Sequence, residues 1–465
     1  MPPKPLPAAL VLLAALAGCD VPPVATSLPA RRPLGAQFDT DRPRGAPRVR
    51  AAALEDPNGP LSLRTALGLA LARSPSLAGF SWSIRQAEAE QLQAAVLPNP
   101  ELEAEFENFA GSGEFRGTRA LETTIALSQL VELGGKREKR LDLARQDSKL
   151  AGWDYEARRL EVLTDVTKQF VGVLARQEKL ALAREDLKLA EATYLAVEKR
   201  IAAGKAAATE QSKASIERAS GRIRVRRIER ELTAARHKLA ATWGSREPTF
   251  DRVAGSLEGV SPLPPVGRLA PKLSQNPNVA RWATEIRQRL AALSLQRAQA
   301  VPDVTVGVGV RHARETEDND RALLVTVGVP LPVFDRNRGA IAKARFGLLK
   351  ARSSQRAAEV QARADLQDAY ETLASAREEA LSLRDEVLPA AQRSYQAAGE
   401  SFRHGKSGYL DLLDAQRTLI KARQGHVEAL AAYHRAVAEI EGLIGESLES
   451  ADKPQPKAKE TSDEK

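Results

Sequence analysis

Asp411 and Asp414, in the stretch YLDLLDA, are two carboxylates three residues apart. On a helix that spacing puts both on one face. Such a pair can draw cations toward it, and a merely solvated helix face is the other reading the spacing allows. The five histidines, His237, His312, His404, His426 and His434, show no ligand pattern with carboxylates, so no metal site is expected. No Ser-His-Asp set, phosphate loop or acid–base pair emerges, which predicts a protein that is not an enzyme and needs no cofactor. The single cysteine, Cys19, excludes a disulfide framework and any multi-cysteine metal site. Arg222, Arg224, Arg226, Arg227 and Arg230 form a basic cluster that reads as a solvated or inter-helix ion-pairing face.

Cys19 has a chemistry of its own. Residues 1–18 place Lys4 before an apolar run from Ala8 to Ala17, too short to span a bilayer and read as a signal peptide. Leu16-Ala17-Gly18-Cys19 resembles a bacterial lipobox, in which the cysteine thiol is acylated. An ordinary signal peptide with a chance cysteine is the alternative. Asp20 follows, a residue that can favour retention at the inner membrane. Export predicts no nucleic acid partner despite the net charge of +9. Residues 19–61, rich in Pro, Arg, Ala and Gly, read as an extended lipidated tether, and 446–465 as a disordered tail.

The elements that must position these residues come in two copies. At an offset of 201, Gly204-Lys205 falls on Gly405-Lys406, Gly244 on Gly445 and Tyr194 on Tyr395. At 202, Pro75 falls on Pro277 and Pro100 on Pro302. The copies cover 62–260 and 261–445. Each reads as helix, two strands and two long helices, a mainly α fold with a small β part. The first helices are expected over about 63–96 and 267–299. Period-2 alternation follows: Leu102, Ala104 and Phe106 with Leu121, Thr123, Ile125 and Leu127, then Val304, Val306, Val308 and Val310 with Leu323, Val325, Val327 and Val329. Each pair predicts a hairpin. Val173, Leu180, Leu187, Tyr194 and Ile201 recur every seven residues, the seam of an antiparallel coiled coil. Ala374, Leu381, Leu388, Tyr395 and Phe402 repeat it, with a kink expected at Pro389. Gly204 and Gly405 should end these helices.

Four strands of about ten residues match a tilted crossing of the bilayer, yet an open four-stranded sheet leaves unpaired backbone in lipid. Closure takes about eight strands or more, so one chain is too few. A soluble sheet capping a coiled coil remains the alternative.

From 62 to 445 the chain resembles the outer membrane efflux proteins of the TolC type. The resemblance rests on the duplicated order and on LPNPELE at 97–103, LSQLVELGGKR at 127–137, VPLPVFDRNRG at 329–339 and GKSGYLDLLDAQRTL at 405–419. The stretch from Pro98 through GSGEFRG to GGKR is most similar to the CzcC-type heavy-metal branch. The resemblance implies a homotrimer in outer membrane lipid, with a twelve-stranded β-barrel and an α-helical tunnel. It implies a periplasmic adaptor (membrane fusion protein) and an inner-membrane pump of the resistance–nodulation–division type as partners, and divalent metal cations as cargo, with drugs or organic compounds as the alternative. It makes Asp411 and Asp414 a periplasmic constriction of six carboxylates. The helix tips, Ala203, Gly204 and Lys205 with His404, Gly405 and Lys406, become the adaptor contacts. Phe402 and Ser407 stand where several members close the tip with Tyr and Arg, so that network is not expected here. A periplasmic coiled-coil adaptor lipoprotein is the rival class. It would carry flanking β-domains and one helical hairpin rather than a duplicated unit.

Overall fold

The computed structural model describes residues 28–37, 57–204, 206–314 and 319–451. Cys19, Lys205 and the signal segment lie outside the described residues. The elements are β1 (Gly59–Ser62), α1 (Leu63–Arg73), α2 (Pro75–Ala95), β2 (Glu101–Glu107), β3 (Glu122–Val131), α3 (Lys136–Ala202), α4 (Ala208–Ala241) and β4 (Phe250–Ala254). The second copy gives α5 (Pro277–Gln299), β5 (Val304–Arg314), β6 (Asn319–Gly328), α6 (Arg338–Ser382), α7 (Leu388–Arg403) and α8 (Tyr409–Ile444).

The chain divides into two compact units. One comprises Ser83–Gly152 and Arg281–Arg356 and holds the larger sheet. Its strands run in the order β2-β3-β5-β6, every neighbour antiparallel, so β2 and β6 are free edges. Strict alternation sorts the two faces. Leu102, Leu127, Val308 and Val325 stand in one row across the sheet, with Ala104, Ile125, Val310 and Leu323 in the next. Many of these side chains are exposed, including Leu102, Ile125, Val310, Leu323 and Val325. The other face carries Glu101, Glu103, Glu105 and Glu107 along β2, beside Ser128, Ala126, Thr124 and Glu122 of β3. Arg311 on that face lies 3.4 Å from Glu122 and donates from Nε to the Thr124 hydroxyl at 3.2 Å.

The family-like motifs turn out to be joints. Lys136 of LGGKR pairs with Asp303 at 2.7 Å, and the Leu133 N–H donates to the same carboxylate at 2.9 Å. Burial opposes ionisation of Asp303, but the hydrogen bonds from Lys136 and the Leu133 N–H hold its carboxyl below the usual range. In VPLPVFDRNRG, the Asn337 side chain donates to the Gln296 carbonyl at 2.6 Å, and the Asp335 carboxylate accepts from the Asn337 N–H at 2.8 Å.

The second unit, built from Ala30–Trp82, Trp153–Ala280 and Ala357–Lys465, is helical around the small parallel pair β1–β4. Leu61, Leu69, Val166, Phe170, Leu239, Trp243, Phe250 and Leu430 form its main core. The heptad seam of α3 is buried as its period demands, with Val173, Ala183 and Val197 almost fully enclosed.

Several expectations need correction. The first helix of each copy is broken rather than continuous. Ser74 and Asn276 take extended ψ values of 119° and 130° because each precedes a proline, Pro75 and Pro277. The interruption at Pro389 is a π-turn at Leu383–Val387, just before the proline. A proline lacks the N–H its turn would need, and a π-turn absorbs the misfit by adding one residue. The extra residue rotates the buried row. Leu366, Leu373 and Ala380 are buried, the next heptad position Val387 is 42% exposed, and burial resumes at Ala391. The second seam therefore runs one residue away from the expected Ala374–Leu381 register.

The stretch around 30–36 is docked, not a free tether. The Leu34 N–H donates to the Gly445 carbonyl at 2.9 Å, and the buried Arg159 guanidinium donates to the carbonyls of Leu34 and Arg32 at 3.0 and 3.1 Å. A buried guanidinium must spend its donors, and these carbonyls take two of them while Glu156 supplies the counter-charge at 3.1 Å. The expected tail also starts too early, since Leu448–Ala451 is helical and the Leu448 N–H donates to Glu441 at 3.0 Å.

Candidate functional site: the helical tips and the acidic pair

Both long hairpins end in the same turn. Gly204 and Gly405 have φ of +70° and +72°, a left-handed conformation that lets the chain reverse without a Cβ clash. The Gly204 N–H donates to Ile201 at 2.9 Å and the Gly405 N–H to Phe402 at 3.1 Å. Lys406 adds a bond from its N–H to the Ser401 carbonyl at 2.8 Å. Ala203, Gly204, His404, Gly405 and Lys406 are all exposed.

A small core fixes the tips. Val197 of α3, Ala214 of α4, Phe402 of α7 and Tyr409, Leu412 and Leu413 of α8 pack together. Phe402 is buried, its ring edge-on to Tyr409 at 6.2 Å and under the Arg200 guanidinium at 4.3 Å. Phe402 is thus a core position of the tip. Tyr194 is capped by Arg218 at 3.9 Å.

Asp411 and Asp414 lie one turn apart on the exposed side of α8, while Leu412 and Leu413 between them face inward. Asp411 also has a local duty. Its carboxylate accepts the Gly408 N–H at 3.2 Å, capping the start of α8. Asp414 makes no hydrogen bond or ion pair among the described residues.

Just behind this pair lies an ion network that the sequence did not reveal. Arg417 reaches Glu217 at 2.8 Å, and Arg224 approaches the same carboxylate at 3.6 Å. Asp186 is buried nearby. Loss of hydration pushes its carboxyl up to about 6, although Arg224 and Arg423 pull it down, and Glu185 and Glu217 add to the rise. The basic cluster divides in two. Arg222 pairs with Glu191 at 3.3 Å and Arg227 with Glu231 at 3.7 Å, as an ion-pairing face should. Arg226 and Arg230 make no ion pair among the described residues.

An outer membrane efflux protein family model matches residues 66–245 and again 271–446, one match for each copy of the repeat. The chain belongs to the outer membrane efflux protein family. Within it, the chain is 33% identical to the cobalt-zinc-cadmium resistance protein CzcC of Cupriavidus metallidurans, over 83% of this chain and 90% of that one. It is 27% identical to the nickel and cobalt resistance protein CnrC of the same organism, over 63% of this chain and 68% of that one. The open state of the MtrE outer membrane channel of Neisseria gonorrhoeae superposes with a TM-score of 0.68 at 18% identity, covering 91% of this chain and 99% of that one. The family accounts for the fold, long helices together with a small antiparallel sheet. No group of three or more metal-ligating side chains occurs among the described residues.

Proposed function

We propose that the chain is the exit duct of a tripartite efflux system that expels divalent heavy-metal cations, working passively while an inner-membrane pump supplies the energy. The observation that carries this reading is the open sheet. Its apolar face suits lipid, but the free edges of β2 and β6 present backbone N–H and C=O groups that hydrocarbon cannot solvate. Head-to-tail joining of three copies closes twelve strands and removes every edge. The acid-bearing face of β2 then lines the lumen. The same threefold brings Asp411 and Asp414 of three chains together as six carboxylates around the periplasmic opening, which favours cations over anions. The exposed tips at Ala203 and Gly204 and at His404 to Lys406 offer similar grooves to a periplasmic adaptor, with Lys205 as the matching sequence position in the first copy. Lipid on the Cys19 thiol would anchor the chain beside the barrel.

Metal as cargo is supported by the likeness to the cobalt-zinc-cadmium and nickel-cobalt resistance proteins. The test is a gene deletion scored for cobalt, zinc and cadmium tolerance beside tolerance to organic drugs. Loss of metal tolerance, restored by the full chain, is expected. Unchanged metal tolerance with raised drug sensitivity would overturn the cargo.

A further inference from the structure

The apolar face of the larger sheet changes chemistry before it ends. From Val131 and Val304 it runs through the row of Leu127, Val308 and Val325 and then that of Ile125, Val310 and Leu323. The next row is Phe106, Thr123, His312 and Arg321. Beyond it Arg314 takes the last position of β5, opposite Asn319, and its N–H donates to the Leu121 carbonyl at 3.0 Å. Period-2 alternation puts Arg314 on the same face as His312 and Arg321. Arg314 and Arg321 are thus diagonal neighbours on adjacent strands, with backbones about 7–8 Å apart. Both are exposed, and neither makes an ion pair among the described residues. The strand acids at this level, Glu107, Glu122 and Asp320, alternate onto the other face, where Arg311 meets Glu107 and Glu122 at 3.9 and 3.4 Å.

Two like charges side by side at the end of an apolar face are unfavourable unless something anionic lies against them. Their place in the fold says what that is. The strands join helices at the opposite end, where Lys136 and the Leu133 N–H hold Asp303. The arginines therefore stand at the hairpin end. From Val304 to His312 the apolar face covers about 26 Å of strand, the scale of the apolar band on a membrane β-barrel. The turn that leads into β3 carries Phe109 and Phe115, both exposed, with Arg116 and Arg119 beside them. Its backbone is bonded across itself, the Ala110 N–H to Gly117 at 2.8 Å and the Gly111 N–H to Phe115 at 2.9 Å. Exposed rings at that level match the aromatic girdle at a membrane interface. With the helices in the periplasm, the hairpin end meets the outer leaflet, which is built of glycolipid bearing phosphates above several acyl chains.

We propose that Arg314 and Arg321 form a binding site for the phosphates of the outer-leaflet glycolipid, one site on each copy of the chain. Each guanidinium fork can hold two phosphate oxygens, while an acyl chain lies along Val310 and Leu323 below. Arg311 takes no part, because its charge is spent on Glu107 and Glu122 on the other face. The site rests on the membrane-spanning reading of the sheet in the preceding section and gives its outer end a ligand.

The test uses the full-length chain purified in detergent from outer membranes, stripped of lipid and titrated with bisphosphorylated lipid A, with bound lipid read by native mass spectrometry. Arg314→Gln with Arg321→Gln should reduce the retained lipid A several-fold, and Arg314→Lys with Arg321→Lys should keep most of it. Arg338→Gln, at the helix-joined end of the sheet, should change nothing. On the wild type, lipid A stripped of its phosphates should be retained several-fold less than the bisphosphorylated form, a comparison that needs no variant to fold. Equal retention of the two forms, or undiminished retention by the Gln variant, overturns the site and leaves the exit duct intact. Equal capture of phosphatidylglycerol, or full displacement by inorganic phosphate, overturns the glycolipid as its ligand. A chain that fractionates away from the outer membrane overturns the duct and the site together.

Discussion

Glu217 and Arg417, 200 residues apart, form an ion pair at 2.8 Å that ties the α4 helix of the first copy to α8 of the second. Glu217 is 7% exposed on its side chain, while Arg417 is largely in solvent. Arg224 shares the carboxylate from within α4. The pair stands less than two turns beyond Asp414, so it braces the segment that presents the acidic pair.

Removing the carboxylate leaves two guanidinium groups without their partner. Glu217→Gln keeps the shape and a hydrogen-bond acceptor but loses the charge. Because Arg417 is solvated, the cost falls below that of a fully buried pair, at about 1–2 kcal/mol. Hydrogen exchange of the detergent-extracted protein should show the loss concentrated near the start of α8 and the middle of α4, with the sheet unaffected. Protection unchanged at both places would show that the pair does not brace the tip.

Asp186 gives the helical unit a pH dependence of defined sign. Its carboxyl titrates at about 6 when folded, through burial, and in the ordinary carboxylate range when unfolded. Between those values the folded chain holds more protons, so stability falls as pH rises through the window and levels off above it. Asp186→Asn removes that slope. The variant should gain on the wild type between about pH 4.5 and about pH 7, by an amount on the order of 2–3 kcal/mol. Parallel unfolding midpoints across that range would refute it.

Gly309 tests the sheet. A Cβ there would stand 2.7 Å from the Ile125 carbonyl oxygen and 2.8 Å from the Ala126 Cβ. Those atoms belong to the neighbouring strand and cannot give way without parting β3 from β5. Gly309→Val should cost about 1–3 kcal/mol and lower the amount of folded protein in the outer membrane. Gly328→Ala, whose nearest neighbour would be 4.0 Å away, should be tolerated. Equal yields of the two variants would count against the register of the central strands.

The legible parts of this fold are those governed by a short period or an isolated signal. The alternation in VTVGVGV, the heptad through Val173 and Ile201, and the two tip glycines each specify a local geometry with little competition. The helix breaks at Ser74 and Asn276 were also present in the sequence, since Pro75 and Pro277 align in the repeat. An apolar periodicity that continues across both prolines concealed them. The π-turn was not legible, because nothing in LRDEV differs from ordinary helix and only Pro389 hints at a misfit. The network at Glu217 joins residues 200 apart, which no local pattern encodes. Docking of Arg32 and Leu34 escaped notice for a related reason: the partners are backbone carbonyls, and Arg159 looks like any helix arginine until its burial is known. Asp411 and Asp414 were visible by spacing, but the capping bond to Gly408 gives one of them a second role that spacing alone did not separate.

That second role lets charge and structure be tested apart. Asp411→Asn keeps an oxygen that can accept the Gly408 N–H, so the cap survives while the charge is lost. Asp411→Ala removes both, and loss of the cap should cost about 1 kcal/mol. Asp414 has no such bond, so Asp414→Asn and Asp414→Ala should behave alike in stability. If the pair acts through charge at a shared opening, the Asn double variant in planar bilayers should lose cation preference, read as a shift of reversal potential toward zero under a salt gradient, at nearly wild-type stability. If the pair is only a solvated helix start, Asp411→Ala alone should show an effect, and that effect should be on unfolding rather than on selectivity. A double Asn variant with unchanged reversal potential would remove the acidic pair from the permeation path while leaving the fold and the family untouched.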